Sequence, residues 1–203
     1  LDWAIKSVLL FGLPATAALV ILSDELIATL FFHGVMESRD VLMAGASLAA
    51  YGAGLAGHML VKVLAPGYFS RQDMISPVRF GIIAMVANMG LNLVLIWHFK
   101  HVGLAIATTI SAFLNAALLY VGLSRLGLIN FYNKDNVLFL SRLILATFIM
   151  TSLIYYFNPS IDWWLQIDSV ARVIRMLSIC LLGAFSYFLV LALSGLNLKS
   201  LLR

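Results

Sequence analysis

The chain has 203 residues, 63% of them apolar and 11% charged, with a net charge of +4 and a mean hydropathy of +1.02. A soluble domain carries about 25% charged residues, so this composition excludes an ordinary water-facing surface and places the chain in a bilayer. The positive balance then bears on orientation rather than on nucleic acid, and a single cysteine, Cys180, excludes an internal disulfide or a cysteine metal cluster.

A spanning helix needs about 20 mostly apolar residues. Six runs fit that template: 8–32, 41–65, 78–97, 102–123, 137–157 and 170–193. They are too long for barrel strands and do not alternate, so the expected fold class is an all-α integral membrane protein. The chain starts "LDWAIKSV", with neither an initiator Met nor a signal-peptide pattern, which reads as one piece of a longer protein.

In the first span, Pro14 removes a backbone donor and crowds the preceding turn, so a bend is expected there, as a hinge or as a packing kink. Asp24 and Glu25 follow, where ionised carboxylates are costly in lipid; an approach to the surface, protonation and a functional role are all open. In the second span, Ser47, Tyr51, Gly54, His58 and Lys62 fall within roughly 80° of one another at 100° per residue. They form a polar and small stripe that ends on a lysine. Lys62 either snorkels to the headgroups or faces a cavity. Pro66-Gly67 is expected to stop this helix, and Arg71, Asp73 and Arg79 follow in a turn.

The third and fourth spans repeat the theme. Gly81, Met85, Asn88 and Asn92 share one face, and Thr108, Ser111, Asn115 and Gly122 share another. Such groups hydrogen-bond across helix contacts or line a water-filled cavity. The fifth and sixth spans carry no comparable stripe. They read as lipid-facing, either a flank or an apolar groove for a hydrocarbon chain. Cys180 reads as a small buried hydrophobe, and Arg172 and Arg175 as headgroup anchors or gate charges.

If the first span starts in the cytoplasm, that side receives Lys6, Lys62, Arg71, Arg79, Arg125, Lys134, Arg142, Lys199 and Arg203. The other side receives Arg39, Lys100, Arg172 and Arg175. The positive-inside rule favours this orientation, with both ends of the chain cytoplasmic. Trp97, Trp163 and Trp164 then fall where an outer aromatic belt belongs.

Catalytic patterns are missing. No HExxH, GxSxG, CxxC or P-loop pattern occurs, and the "GAGLAG" of residues 52–57 lies inside a span with no preceding strand. An enzyme would have to bring His58 together with His33, His98 and His101, whose spacing is poor for metal binding. No metal site or catalytic residue is expected.

A family likeness is carried by "FGLPATAAL", "LIATLFFHG", "AYGAGLAGHMLVKVLAPGYFSRQDMISPVRF", "NMGLNLVLI" and "HVGLAIATTISAFLNAALLY", in that order. The sequence resembles the MurJ (MviN) lipid II flippases of the multidrug/oligosaccharidyl-lipid/polysaccharide exporter superfamily, most specifically over residues 61–78. The resemblance implies a fourteen-helix transporter of which these spans are the ninth to fourteenth. Residues 1–126 would be four helices of the C-terminal lobe, and residues 127–203 two additional helices beside a lipid-tail groove. It further implies translocation of the undecaprenyl-pyrophosphate-linked peptidoglycan precursor, lipid II, from the cytoplasmic to the periplasmic leaflet of a bacterial inner membrane by alternating access. The implied partners are lipid II, membrane lipids and an N-terminal lobe of the same protein. No cofactor is implied, and a coupling ion or the membrane potential is left unidentified. On this reading Lys62, His58, Tyr51, Ser47, Asn88, Asn92 and Asn115 belong to a substrate cavity, and Arg71, Asp73 and Arg79 to a cytoplasmic gate or turn. Lys62 matches the lysine of the family's "VKVLAP" block. The alternatives are a drug or organic-cation antiporter or a polysaccharide-lipid flippase of the same superfamily, an intramembrane His-dependent enzyme, and a structural subunit without a cavity. A cavity-facing Asp24 or Glu25 would mark the antiporter.

Overall fold

A computed structural model describes residues 1–129 and 134–195. Lys199 and Arg203 lie outside the described residues, as do residues 130–133, between the fourth and fifth predicted spans. The described residues form helices α1 (Asp2–Ile21), α2 (Ser23–Phe31), α3 (Ser38–Ala53), α4 (Leu55–Phe69), α5 (Ile75–Arg125), α6 (Lys134–Phe157), α7 (Ile161–Gln166) and α8 (Ser169–Leu193). These make a multi-pass membrane chain.

Helices α1 and α2 together form the first predicted crossing, interrupted at Leu22 (φ −100°, ψ 18°). Pro14 lies inside the continuous α1. Its missing N–H leaves the Leu10 carbonyl without its usual helical donor, and the Tyr187 hydroxyl donates to that carbonyl at 2.7 Å. Helices α3 and α4 form the second crossing, interrupted at Gly54 (φ −80°, ψ −11°). The expected stop at Pro66-Gly67 is corrected: α4 runs through both residues to Phe69. Proline blocks only the hydrogen bond back to residue 62, and the chain turns later, at Gln72 (φ 59°).

The 51 residues of α5 would be about 77 Å long as one straight rod, more than twice the hydrocarbon thickness. The backbone reverses at Lys100 (φ 50°, ψ −128°), inside the short "HFKH" gap between the predicted spans 78–97 and 102–123. The two arms, 75–99 and 101–125, then pack on each other and supply the third and fourth crossings. Gly103 lies directly against the Leu95 carbonyl, with no space for a Cβ. Helices α6 and α8 are the fifth and sixth crossings.

Two buried clusters hold the bundle. The larger joins α1, α6, α7 and α8 through Leu10, Met150, Ile154, Trp164, Ile179 and Tyr187. The smaller sits at the end where the chain starts and joins α1, α4 and α5 through Ile5, Leu64, Tyr68, Leu119 and Leu123. There the Tyr68 hydroxyl donates to the Leu119 carbonyl at 2.9 Å. We call this the near end, and the end carrying Lys100 the far end.

Three further expectations are corrected, the first two at the far end. The sequence shows a connector at 158–169, but helix α7 forms there and buries Trp164 completely. Its indole donates to Asn158 Oδ1 at 3.0 Å, so it is a core residue, while Trp97 and Trp163 are exposed as expected. Arg172 is not a headgroup anchor: it is buried and donates to the carbonyls of Ala28, Phe32 and Leu165. Arg175 donates to Phe157, the last residue of α6, at 2.9 Å. Both arginines thus bind carbonyls at the open ends of neighbouring helices, where orphan acceptors and the negative dipole end favour a cation. Cys180 is the third correction. It is exposed on α8, because its neighbours Ile179 and Gly183 take the buried face.

Candidate functional site

Between α4 and the two arms of α5 lies a cleft of about 350 Å³. His58 and Lys62 reach it from α4, Met85 and Asn88 from the first arm, and Ser111 and Asn115 from the second. They meet because residues four apart stack on one helix face. His58 and Lys62 are such a pair, as are Ser111 and Asn115.

The polar groups are wired across the two arms. Asn88 Nδ2 donates to Ser111 Oγ at 3.3 Å and lies 3.5 Å from Thr108 Oγ1, while Asn92 Nδ2 donates to Asn88 Oδ1 at 3.0 Å. Asn88 thus bridges the two arms and also lines the cleft. The amide oxygens of Asn92 and Asn115 are buried without a protein partner. Lys62 and His58 are exposed to the cleft, and no acidic side chain lines it. The cleft therefore offers a cation, hydrogen-bond donors and spare acceptors.

The residues expected in one cavity are only partly gathered. His58, Lys62, Asn88 and Asn115 line the cleft and Asn92 adjoins it through Asn88. Tyr51 and Ser47 lie on α3, beyond the interruption at Gly54; Tyr51 is exposed and the Ser47 hydroxyl donates to the Met43 carbonyl. Pro66, Arg71 and Arg79 are exposed at the near end.

Asp73 has a structural part in the near-end turn. Its Oδ1 accepts from the backbone of Ile75 at 3.1 Å and Ser76 at 3.0 Å, which caps α5. Hydrogen bonds from Ser76, then the bond from Ile75 and the nearby Arg79 charge, hold the carboxyl below its ordinary range. Because the folded value is depressed, the cap is fully present above the unfolded value and is lost as pH falls through the folded one. Asp73→Ala should therefore speed amide exchange at Ile75 and Ser76 several-fold at neutral pH and change nothing in acid below the folded value. Equal exchange in the two proteins at neutral pH would remove the cap.

Neither acidic residue of the first crossing enters the cleft. Asp24 packs against Gly45 of α3. Glu25 is buried, and its Oε1 accepts from Asn158 at the far end. The histidines do not converge either. His33 is exposed in the α2–α3 connector, and His101 meets the Met43 carbonyl at 3.3 Å at the far end. Among the described residues no three His, Cys, Asp or Glu side chains are placed to hold a metal ion.

An apolar groove of about 240 Å³ lies between α1, α6 and α8. Phe11, Pro14, Met150, Cys180, Tyr187 and Phe188 line it. The lack of a polar stripe on the last two spans left both a plain flank and such a groove open. Its dependence on α1 was not legible, because no local pattern marks which helix packs beside α8.

The match to known proteins decides the family. Residues 1–175 match the family described as lipid II flippase MurJ. The chain belongs to the MurJ family. It is 43% identical over 201 residues to the probable lipid II flippase MurJ of Vibrio cholerae, covering 99% of this chain and 38% of that protein. Identity to the Haemophilus influenzae protein of the same description is 41%, covering 100% of this chain and 39% of the relative. Identity to the lipid II flippase MurJ of Burkholderia cenocepacia is 31%, covering 96% and 38%. The chain thus spans about two-fifths of the length of these MurJ relatives. A solved structure of a lipid II flippase MurJ in an inward closed conformation superposes with a TM-score of 0.75 at 22% identity, over 98% of this chain and 38% of that one. That similarity establishes the fold of this MurJ segment.

Proposed function

We propose that this segment supplies the C-terminal half-cavity and the lipid-tail groove of a lipid II flippase, and that the whole protein moves lipid II from the cytoplasmic to the periplasmic leaflet. The observation that carries the reading is the cleft with Lys62 and His58 on one wall and amides on the others. Lipid II combines an anionic pyrophosphate, hydroxyl- and amide-rich sugars and peptide, and a long hydrocarbon tail. A lysine is a mobile point charge suited to phosphate oxygens, and the asparagines can serve sugars and peptide in either hydrogen-bonding sense. The apolar groove beside α8 shares no lining residue with that cleft and suits the tail, which need not leave a lipid-like environment.

The near end is the cytoplasmic one on this reading, because it collects Lys6, Arg71, Arg79 and Arg125, and both ends of the described chain then lie there. Residues 1–126 act as lobe helices and the pair that follows as the groove-forming addition. The antiporter alternative loses its support, since Asp24 and Glu25 pack elsewhere. A purely structural subunit would have no reason to leave a charged cleft open.

Lys62→Ala in the full-length protein should lower the exposure of lipid II on the outer leaflet at least about tenfold in cells depleted of the native protein, since a phosphate-bound charge is worth ~1.5–3 kcal/mol. Lys62→Arg should recover most of it. Normal exposure and growth with Lys62→Ala, at wild-type protein levels, would sink the cavity role.

A further inference from the structure

The interruption at Gly54 sits in mid-membrane, between the two halves of the second crossing, and its loose backbone groups are satisfied from two other helices. The Gly54 amide donates to the Tyr51 carbonyl at 2.9 Å, three residues back rather than four. That tightening leaves the Ala50 carbonyl without its ordinary helical donor, and the Thr109 hydroxyl of α5 donates to it. Two residues past the interruption, the Ala56 amide donates to Thr16 Oγ1 of α1 at 3.2 Å. One threonine thus serves as donor and the other as acceptor. Gly54 admits no larger residue, because a Cβ there would stand 2.7 Å from Thr109 Oγ1 and 3.2 Å from its Cα.

In hydrocarbon, a broken helix persists only where freed backbone groups find other partners. Here the partners are specific, and one belongs to the helix that forms a wall of the cleft. Thr108 and Ser111, beside Thr109, line the cleft. Lys62 lies eight residues beyond Gly54, about 12 Å along the axis. A change of about ten degrees at the interruption would move its backbone by roughly 2 Å, enough to make or lose a hydrogen bond.

We propose that Thr16 and Thr109 are positioning residues: they hold the Gly54 interruption in one geometry and so aim His58 and Lys62 into the cleft against the second arm of α5. This deepens the transport reading and rests on it for its purpose. The geometric claim stands apart from transport, because it concerns where Lys62 points in the resting protein.

The test uses the full-length protein in membranes, with Lys62→Cys as a probe and a water-soluble charged methanethiosulfonate as reagent. Only modification gained over the parent is counted, so that Cys180 does not contribute. Thr109→Val keeps the shape of the side chain and removes the donor. It should change the rate at residue 62 at least about threefold and raise amide exchange over residues 50–58 about tenfold. Thr109→Ser should restore both, which a loss of general packing would not allow. Thr16→Val should act in the same direction. Unchanged modification in both valine variants overturns the inference, and so does a residue 62 that never reacts, since there is then no open cleft to aim into. If Thr109→Val shifts the rate but the Lys62-bearing protein exposes no lipid II, the positioning claim stands and the transport reading falls.

Discussion

Arg172→Met is expected to cost about 3 kcal/mol or more of stability, the largest effect of any substitution at the far end. Arg172 is 6% exposed, and its guanidinium donates to Phe32 at 2.8 Å and to Ala28 and Leu165 at 3.3 Å and lies 4.8 Å from the Phe32 ring. Methionine fills similar volume but strands these acceptors, each worth ~1–3 kcal/mol when buried and unpaired. The α8 start would lose its hold on both the α2 end and α7. Arg172→Lys should recover less than half, because an ammonium on a flexible stem cannot reproduce a planar fork spanning separate carbonyls. Thermal and denaturant unfolding of the full-length protein in detergent measure this. A methionine variant as stable as the parent would show that water replaces the guanidinium at no cost.

That arginine also marks the boundary of what the sequence made readable. Hydropathy located six crossings because each run is long and apolar, and even the reversal at Lys100 fell within the short connector expected there. The polar faces of the third and fourth crossings were legible for a similar reason: Asn88 and Ser111 recur at helical spacing, and the helices that carry them are neighbours in the chain. Arg172 was misread because nothing local distinguishes an arginine that snorkels from one that caps a helix 140 residues away. Trp164 was misplaced likewise: a tryptophan near the membrane surface fits a belt equally well until α7 turns its indole towards Asn158.

The second crossing shows a subtler limit. Counting 100° per residue through Gly54 assumes an unbroken helix, so Ser47 and Tyr51 were aligned with His58 and Lys62. The interruption separates the pairs. Three consecutive small residues, Gly52, Ala53 and Gly54, permitted the break, but only the threonines of two distant helices make it stable. In a membrane, helix length is written locally, while the repair of each backbone defect is written in another helix.

Pro14 and Tyr187 allow that principle to be measured. Tyr187 is 2% exposed and its hydroxyl is held by the Leu10 carbonyl, the group that Pro14 deprives of a donor. Tyr187→Phe removes only the oxygen and leaves that carbonyl unpaired, at an expected cost of about 1–3 kcal/mol. In a Pro14→Ala background the backbone amide regained at that position can reach the same carbonyl, so Tyr187→Phe should cost less. The double-mutant cycle should then give a coupling of about 1 kcal/mol or more between positions 14 and 187, whereas residues without a shared partner add within about 0.5 kcal/mol. Unfolding of the four full-length proteins in one detergent supplies the cycle. Strict additivity would mean that the tyrosine anchors α8 to α1 by its ring alone, and that the proline-freed carbonyl needs no donor.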